Sequence, residues 1–391
     1  MNHVLNCTGH EMKMDNIVRA DGVYLFDENG RRYMDLESGV WCISVGHGNR
    51  KIIEAAKDQL DSIMHAGFCY TSSVIGKSAG KLLDTCGLED GKCLFLCSGS
   101  EAIEVARQVA RHLTGRKVSM TFHDAYLGAY SSATDRSRDW YLFDWSYCRQ
   151  CKKNDTCDTD CPSLGDIPVE VSDFIFEPGS SSGFVRFPPE PLVRNIVDKV
   201  RQNGGRIIVN EVTTGVGRTG RWYGYQHYKL VPDMIALGKG IGNGYPVSAA
   251  LFSGEVAREL TRKPFKYSQS HQNDPLGAAI AGQVVAEITE RDLIAEAEKK
   301  GFLFLAQLQS LVDGQIVRAV RGRGLMFAID LVDEGLADKI YNSLIVKGYI
   351  IGNRGSTLRI DPPLIVNEAQ LSEFIDEFGK IITLIKSAGR S

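Results

Sequence analysis

A lysine set among glycines is the residue of this 391-residue chain best placed for covalent chemistry. Lys239 stands between Gly238 and Gly240 in the run GKGIGNG, directly after the apolar segment MIAL. A lysine at the mouth of a parallel sheet forms a Schiff base once its pKa is lowered enough to supply free amine. The glycines let a ligand come close to the backbone. The plainer alternative is a solvated loop lysine among turn glycines. A second run, Cys97-Ser98-Gly99-Ser100 followed by EAIEVARQVARHL, reads as strand, turn and helix. Free N–H groups and the helix dipole favour a phosphate there. The alternative is a simple N-cap, with Ser100 capping. Nucleotide-binding patterns fail: GKGIGNG does not fit G-x-G-x-x-G, and no phosphate-loop signature or H-E-x-x-H is present.

Cys148, Cys151, Cys157 and Cys161 fall within one short polar stretch, spaced x2, x5 and x3. Their number suits a structural zinc or an iron–sulfur cluster, with free thiols or a loop-stapling disulfide as the alternatives. Gly179 to Gly183 fits G-x-S-x-G, with Ser181 as a hydrolase nucleophile. That elbow needs a helix straight after it. The following FVRFPPEP, with its two prolines, opposes one.

These residues need a scaffold, and the chain alternates strand and helix patterns from about residue 93. Strands are predicted at CLFLC, KVSMTF, DFIFEP, RIIVNEV, MIALG and VSAALFS, with helices at EAIEVARQVARHL and PLVRNIVDKVRQ. The alternation predicts a doubly wound, mostly parallel α/β sheet. The first residues read as a hairpin turning at Glu28-Asn29-Gly30. Residues from about 139 to 168 break the pattern and read as an insertion or functional loop, with its cysteine-rich part at 145–166. One long helix is predicted over LGAAIAGQVVAEITERDLIAEAEKKGFLFLAQLQSL, ahead of further strands and helices of α+β style. The expected organisation is residues 1–50 joining a small domain, 51–284 as the large domain and 285–391 as the C-terminal small α+β domain. Formal charge is 45 − 48 = −3, so no basic excess points to nucleic acid. No apolar run is long enough for a membrane helix, and the first residues carry no apolar signal core. A cytoplasmic enzyme with reduced cysteines is expected.

Four motifs occur together: SGSEA at 98–102, NEVTTGVGRTG at 210–220, GKGIGNGYPV at 238–247 and LRIDPPL at 358–364. In this order they resemble the class III pyridoxal-phosphate aminotransferases, of acetylornithine, 4-aminobutyrate or ω-amino-acid type, from about Asp21 to the C-terminal helix. The resemblance implies the pyridoxal-phosphate fold type I, with a large doubly wound domain and a small α+β domain built from both chain ends. It implies pyridoxal 5′-phosphate held by Lys239 as an aldimine, with the same lysine then moving the proton between Cα and C4′. Gly99 and Ser100 match the phosphate-binding backbone. Tyr126 matches the aromatic stacked on the pyridine ring, and Val212 the residue on its other face. Glu177 matches a glutamate supporting the cofactor network, against a strand-end carboxylate making local contacts. Ser270 stands where a hydroxyl reaches the phosphate from a partner subunit, which implies a homodimer with shared active sites. Arg359 matches the clamp for a substrate carboxylate, a task suited to a bidentate guanidinium, against a strand-end surface arginine. The implied reaction is ping-pong transfer of an amino group from an amino-acid or ω-amine donor to a 2-oxo acid.

Three positions depart from the family. Asn210 replaces the aspartate that pairs with the protonated pyridine nitrogen, which predicts a weaker electron sink. Leu127 follows Tyr126 where the family often has histidine. Ser182 occupies the place of a glutamate that masks the arginine clamp, so Arg359 is predicted to be always available. An epimerase or aminomutase on the same scaffold, and a catalytically weak cofactor binder, are the rival readings.

Overall fold

The computed structural model describes residues 3–388 except 6, 8–11, 15, 89, 154, 155 and 180. In chain order its strands are β1 (Ile17–Asp21), β2 (Tyr24–Asp27), β3 (Arg32–Asp35), β4 (Lys92–Leu96), β5 (Val118–Phe122), β6 (Trp140–Phe143), β7 (Val171–Phe176) and β8 (Arg206–Asn210). They continue as β9 (Met234–Leu237), β10 (Ser248–Phe252), β11 (Val317–Arg323), β12 (Met326–Leu331), β13 (Tyr349–Ile350), β14 (Gly352–Arg354) and β15 (Thr357–Ile360).

The central sheet has seven strands in the order β4-β10-β9-β8-β7-β5-β6. Strands β6, β5, β7, β8 and β9 pair in parallel, whereas β10 runs antiparallel to β9 and β4. All six predicted strands of this region are present. Every residue of β7 is buried, as a central parallel strand covered on both faces requires. Strand β6 lies inside the stretch read as a break in the pattern. Its sequence WYLF is strand-forming, but it is a four-residue edge strand with polar neighbours on both sides.

The predicted long helix is two helices, Pro275–Glu290 and Leu293–Gln309. Asp292 breaks it with φ +48°, in the left-handed region that aspartate tolerates. Its N–H closes onto the Thr289 carbonyl at 3.2 Å. Neither glycine nor proline stands at the break, so the sequence does not announce it. Strands β1, β2 and β3 form a sheet with β13, and β11, β12, β15 and β14 form another. The β2–β3 hairpin turns as predicted, with Gly30 at φ +80°. Strand β11 was not predicted, because arginines 318, 321 and 323 interrupt its apolar residues.

The parallel strands point their C-terminal ends to one edge of the central sheet, where open α/β sheets bind ligands. Gly99 and Ser100 follow β4, Tyr126 follows β5, Glu177 follows β7 and Lys239 follows β9, while Asn210 ends β8. The helix Gly99–Thr114 starts with a capping box made by Ser98, not by Ser100. Ser98 Oγ accepts the Glu101 N–H at 3.2 Å, and Glu101 Oε2 accepts the N–H groups of Cys97 (2.8 Å) and Ser98 (3.0 Å). Ser100 Oγ instead accepts the Ala129 N–H at 3.0 Å. Replacing Ser98 by alanine is expected to destabilise the chain by about 1 kcal/mol. A lower urea midpoint at unchanged slope is the corresponding measurement.

Candidate active site

Three loops meet over the sheet edge, and glycine allows them to. A Cβ on Gly99 would lie 2.7 Å from Val212 Cγ1, and one on Gly238 would lie 3.1 Å from Gly99 Cα. A Cβ on Gly128 would lie 2.7 Å from Ser100 Oγ. The loops enclose a cavity of about 200 Å³, reached by Gly99, Ser100, Tyr126, Glu177, Asn210, Val212 and Lys239. Seven of the eight predicted cofactor-binding residues therefore line one cavity. The eighth, Ser270, is exposed and does not line it.

Two side chains tie these loops together. Glu177 Oε2 accepts the N–H of Tyr126 at 3.0 Å and of Ser181 at 3.1 Å. Asn210 donates from Nδ2 to the Tyr126 carbonyl at 2.9 Å and accepts the Val212 N–H at 3.2 Å. An ionised aspartate has no proton to give that carbonyl. The amide at this position therefore fits the backbone around it.

Lys239 has φ +44° and starts a short 3-10 turn. Burial lowers its pKa; nearby Cys42 and Glu177 oppose the shift, and Arg359 adds to it. Its ammonium lies 5.4 Å from the Trp41 ring centroid. A second chamber of about 270 Å³ shares Tyr126, Thr213 and Lys239 with the first, and is closed by Trp41, Ser182 and Arg359. Lys239 thus stands where the two chambers join.

Arg359 is largely buried rather than a surface residue. It is also already engaged, contrary to the expectation drawn from Ser182. Its Nη2 meets Glu37 Oε1 at 2.5 Å, its Nε lies 3.3 Å from Asp361 Oδ2, and its guanidinium lies 3.9 Å from the Trp41 ring centroid. Ser182 donates its hydroxyl to the Asp124 carbonyl at 2.9 Å.

Glu37 and Trp41 flank a turn in which Ser38, Gly39, Val40 and Trp41 all have positive φ, from 52° to 65°. Such a turn costs roughly 1–2 kcal/mol per non-glycine residue and persists only where its surroundings fix it. Here Asp35 accepts the N–H groups of Glu37 and Gly39 at 3.1 and 2.9 Å, and Ser38 donates to the Asp361 carbonyl. The buried Arg218 donates to the carbonyls of Leu325 (3.0 Å) and Pro362, and to Ser38 Oγ at 3.4 Å.

Sequence reasoning did not single out Glu37, Trp41, Thr213 or Arg218 as site residues. Thr213 adjoins Val212, and its buried hydroxyl has no hydrogen-bond partner among the described residues. The other three act across distances along the chain that no local motif encodes.

The family model for class III aminotransferases matches residues 7–139 and 148–382. The chain belongs to the class III aminotransferases. This aminotransferase is 33% identical to the acetylornithine aminotransferase of Aquifex aeolicus, over 93% of this chain and 96% of that one. It is 28% identical to the leucine/methionine racemase of Thermococcus litoralis, over 93% of this chain and 90% of that one. The solved structure of an S-selective transaminase from Arthrobacter sp. with alanine bound matches with a TM-score of 0.90 at 23% identity, covering 100% and 97% of the two chains. The fold is the type I fold expected from the motifs.

Two remaining expectations concern other parts of the aminotransferase. The four clustered cysteines line one cavity of about 260 Å³ beside Pro189 and Leu192, and none of them is in a disulfide. Among the described residues, the group of three ligand atoms close enough for a metal is His65, His271 and Asp274, not the cysteines. Ser181 is buried in a three-residue 3-10 turn, Ser181–Gly183, and the next α-helix begins only at Glu190. The nucleophile elbow is therefore absent, and Ser180 of that motif lies outside the described residues. Gly99→Ala is expected to weaken pyridoxal phosphate binding about tenfold or more by pushing on Val212, as read by absorbance titration of the apo-aminotransferase.

Proposed function

We propose that this chain transfers an amino group from an amino-acid or ω-amine donor to a 2-oxo acid, using pyridoxal phosphate. The observation that carries the reading is Lys239, a half-buried residue whose amine has a lowered pKa between two chambers. One chamber is floored by close glycine backbone at a helix start; the other ends on Arg359. The residues fit the cofactor. Gly99 and Gly128 leave no room for side chains beside the cavity, and the Thr213 hydroxyl is buried there without a hydrogen-bond partner among the described residues.

When bound, the cofactor supplies the electron sink that makes the substrate Cα–H acidic. The N–H groups of Gly99 and Ser100 would hold its phosphate at the helix N-terminus. Tyr126 and Val212 would flank its ring, and Glu177 fixes the Tyr126 loop through backbone bonds. Burial favours the neutral form of Lys239, so its amine would be the group that bonds the cofactor and that takes and returns the substrate proton. Arg359 holds the carboxylate. Asn210 can hydrogen-bond the ring nitrogen but adds no charge there, so Cα deprotonation is slower than an aspartate would allow.

A homodimer accounts for Ser270, which is exposed and lines neither chamber. In that arrangement its hydroxyl serves the phosphate of the second copy. No helix among the described residues is long and apolar enough to cross a membrane. Ten cysteines, none of them in a disulfide, suit the reducing cytoplasm.

Racemisation is a second reading, favoured by the 28% identical leucine/methionine racemase and by the neutral Asn210. Visible absorbance separates the two. Wild type with pyridoxal phosphate is expected to be yellow and Lys239→Ala to lack that band. A donor should bleach the band, and a 2-oxo acid should restore it. Inversion at Cα without any 2-oxo acid would instead establish racemisation, and neither response would leave a weak binder. Asn210→Asp is expected to speed the donor half-reaction about tenfold, ~1.4 kcal/mol of barrier. The lowered pKa of Lys239 also predicts selective labelling. Borohydride trapping of pyridoxal phosphate near pH 7 should mark Lys239 ahead of the exposed lysines, as read by peptide mass spectrometry.

A further inference from the structure

Two histidines and an aspartate that the active site does not use meet beside the Ser270 loop. His65 follows the helix Arg50–Ser62, while His271 and Asp274 lie just ahead of the helix Pro275–Glu290. His65 Nδ1 lies 3.0 Å from Asp274 Oδ1, and His271 Nδ1 lies 4.0 Å from the same oxygen. A hydrogen bond accounts for the first contact. It does not account for the second, which is beyond hydrogen-bonding reach. The two imidazole rings also come together, with centroids 4.5 Å apart. The three ligand atoms of the group all lie within 4.8 Å of one another. Ligands on a tetrahedral zinc, each about 2.0 Å from the ion, sit about 3.3 Å apart. The two separations from Asp274 Oδ1 bracket that spacing.

The carboxylate is held for this task. Asp274 Oδ2 accepts the Gly277 N–H at 3.1 Å as the cap of its helix, which leaves Oδ1 to the histidines. Neighbouring Asn273 bonds twice to Phe95 on β4. Its Oδ1 accepts the Phe95 N–H at 3.0 Å, and its own N–H donates to the Phe95 carbonyl at 2.9 Å. A ligand whose other atom is already engaged keeps its orientation, as supporting partners ensure at metal centres. His271 and Asp274 line a cavity of about 210 Å³ together with Cys97 and Tyr245, which gives a water room as fourth ligand. Burial pushes the Cys97 thiol pKa up, so the donors are two imidazole nitrogens and one carboxylate oxygen. Imidazole suits zinc and its first-row neighbours, whereas magnesium and calcium prefer oxygen.

We propose that His65, His271 and Asp274 bind one divalent transition-metal ion of the zinc class. The ion fastens the segment after the helix Arg50–Ser62 to the loop that carries Ser270. None of the three residues lines either chamber beside Lys239, and nothing in the site requires the aminotransferase reading.

The test titrates full-length protein, chelator-treated and dialysed free of unbound cofactor, with Co²⁺. It is run in a Cys151→Ser/Cys157→Ser background, which removes the clustered thiols as competing ligands. Visible difference spectra are expected to show ligand-field bands that saturate at one ion per chain, without an intense sulfur-to-cobalt band. Zn²⁺ should abolish them by displacement. Adding His271→Ala should weaken Co²⁺ binding about a hundredfold. Adding Asp274→Asn keeps an oxygen for the Gly277 N–H and should still weaken binding about tenfold. Saturating Zn²⁺ should raise the Tm of the background protein by a few degrees and that of the His271→Ala protein not at all. Co²⁺ affinity unchanged by both substitutions would overturn the inference, as would a sulfur-to-cobalt band or the absence of any binding.

Discussion

Keeping an amine out of water is the constraint around which this active site is arranged. A lysine gives up its proton near neutral pH only if burial makes the charged form costly. Burial in turn leaves the neighbouring loops to satisfy their own polar groups. Glu177 and Asn210 do this for the connections after β5, β7 and β8, through bonds to Tyr126, Ser181 and Val212. The close glycine contacts at Gly99, Gly128 and Gly238 follow from the same demand for a small, closed volume. The parallel sheet supplies the frame, because it delivers all these loops to one edge.

Asn210 shows how one position can serve two masters. As a cofactor partner, a carboxylate would be the stronger choice. As a loop tie, the amide is better, because its Nδ2 faces a carbonyl that needs a donor. The chain has taken the amide. Its Nδ2 and Oδ1 tie the connections after β5 and β8 together, where a carboxylate would instead favour charge on a bound ring.

The sequence made much of the central sheet legible, because its strands are short buried apolar runs between clear turns. The cavity residues after those strands were legible too, since each sits in a local motif: Ser98–Ala102, Asn210–Gly220 and Gly238–Val247. What stayed hidden depends on contacts between distant segments. Asp292 splits a helix with no glycine or proline to mark the break, and β6 is too short and too near polar sequence to stand out. Glu37 lies 322 residues from the arginine it neutralises. Judged from the stretch after β7 alone, Arg359 seemed unmasked, because the masking group comes from the other end of the chain.

The left-handed turn at Ser38–Trp41 has a consequence for biosynthesis. Its hydroxyl anchor joins Ser38 to Asp361, 323 residues later. A chain made only as far as Lys239 and the glycine-rich loops lacks both Arg359 and the support for that turn. Until residues 35–41 meet residues 359–361, the chamber beside the Lys239 amine has no far wall.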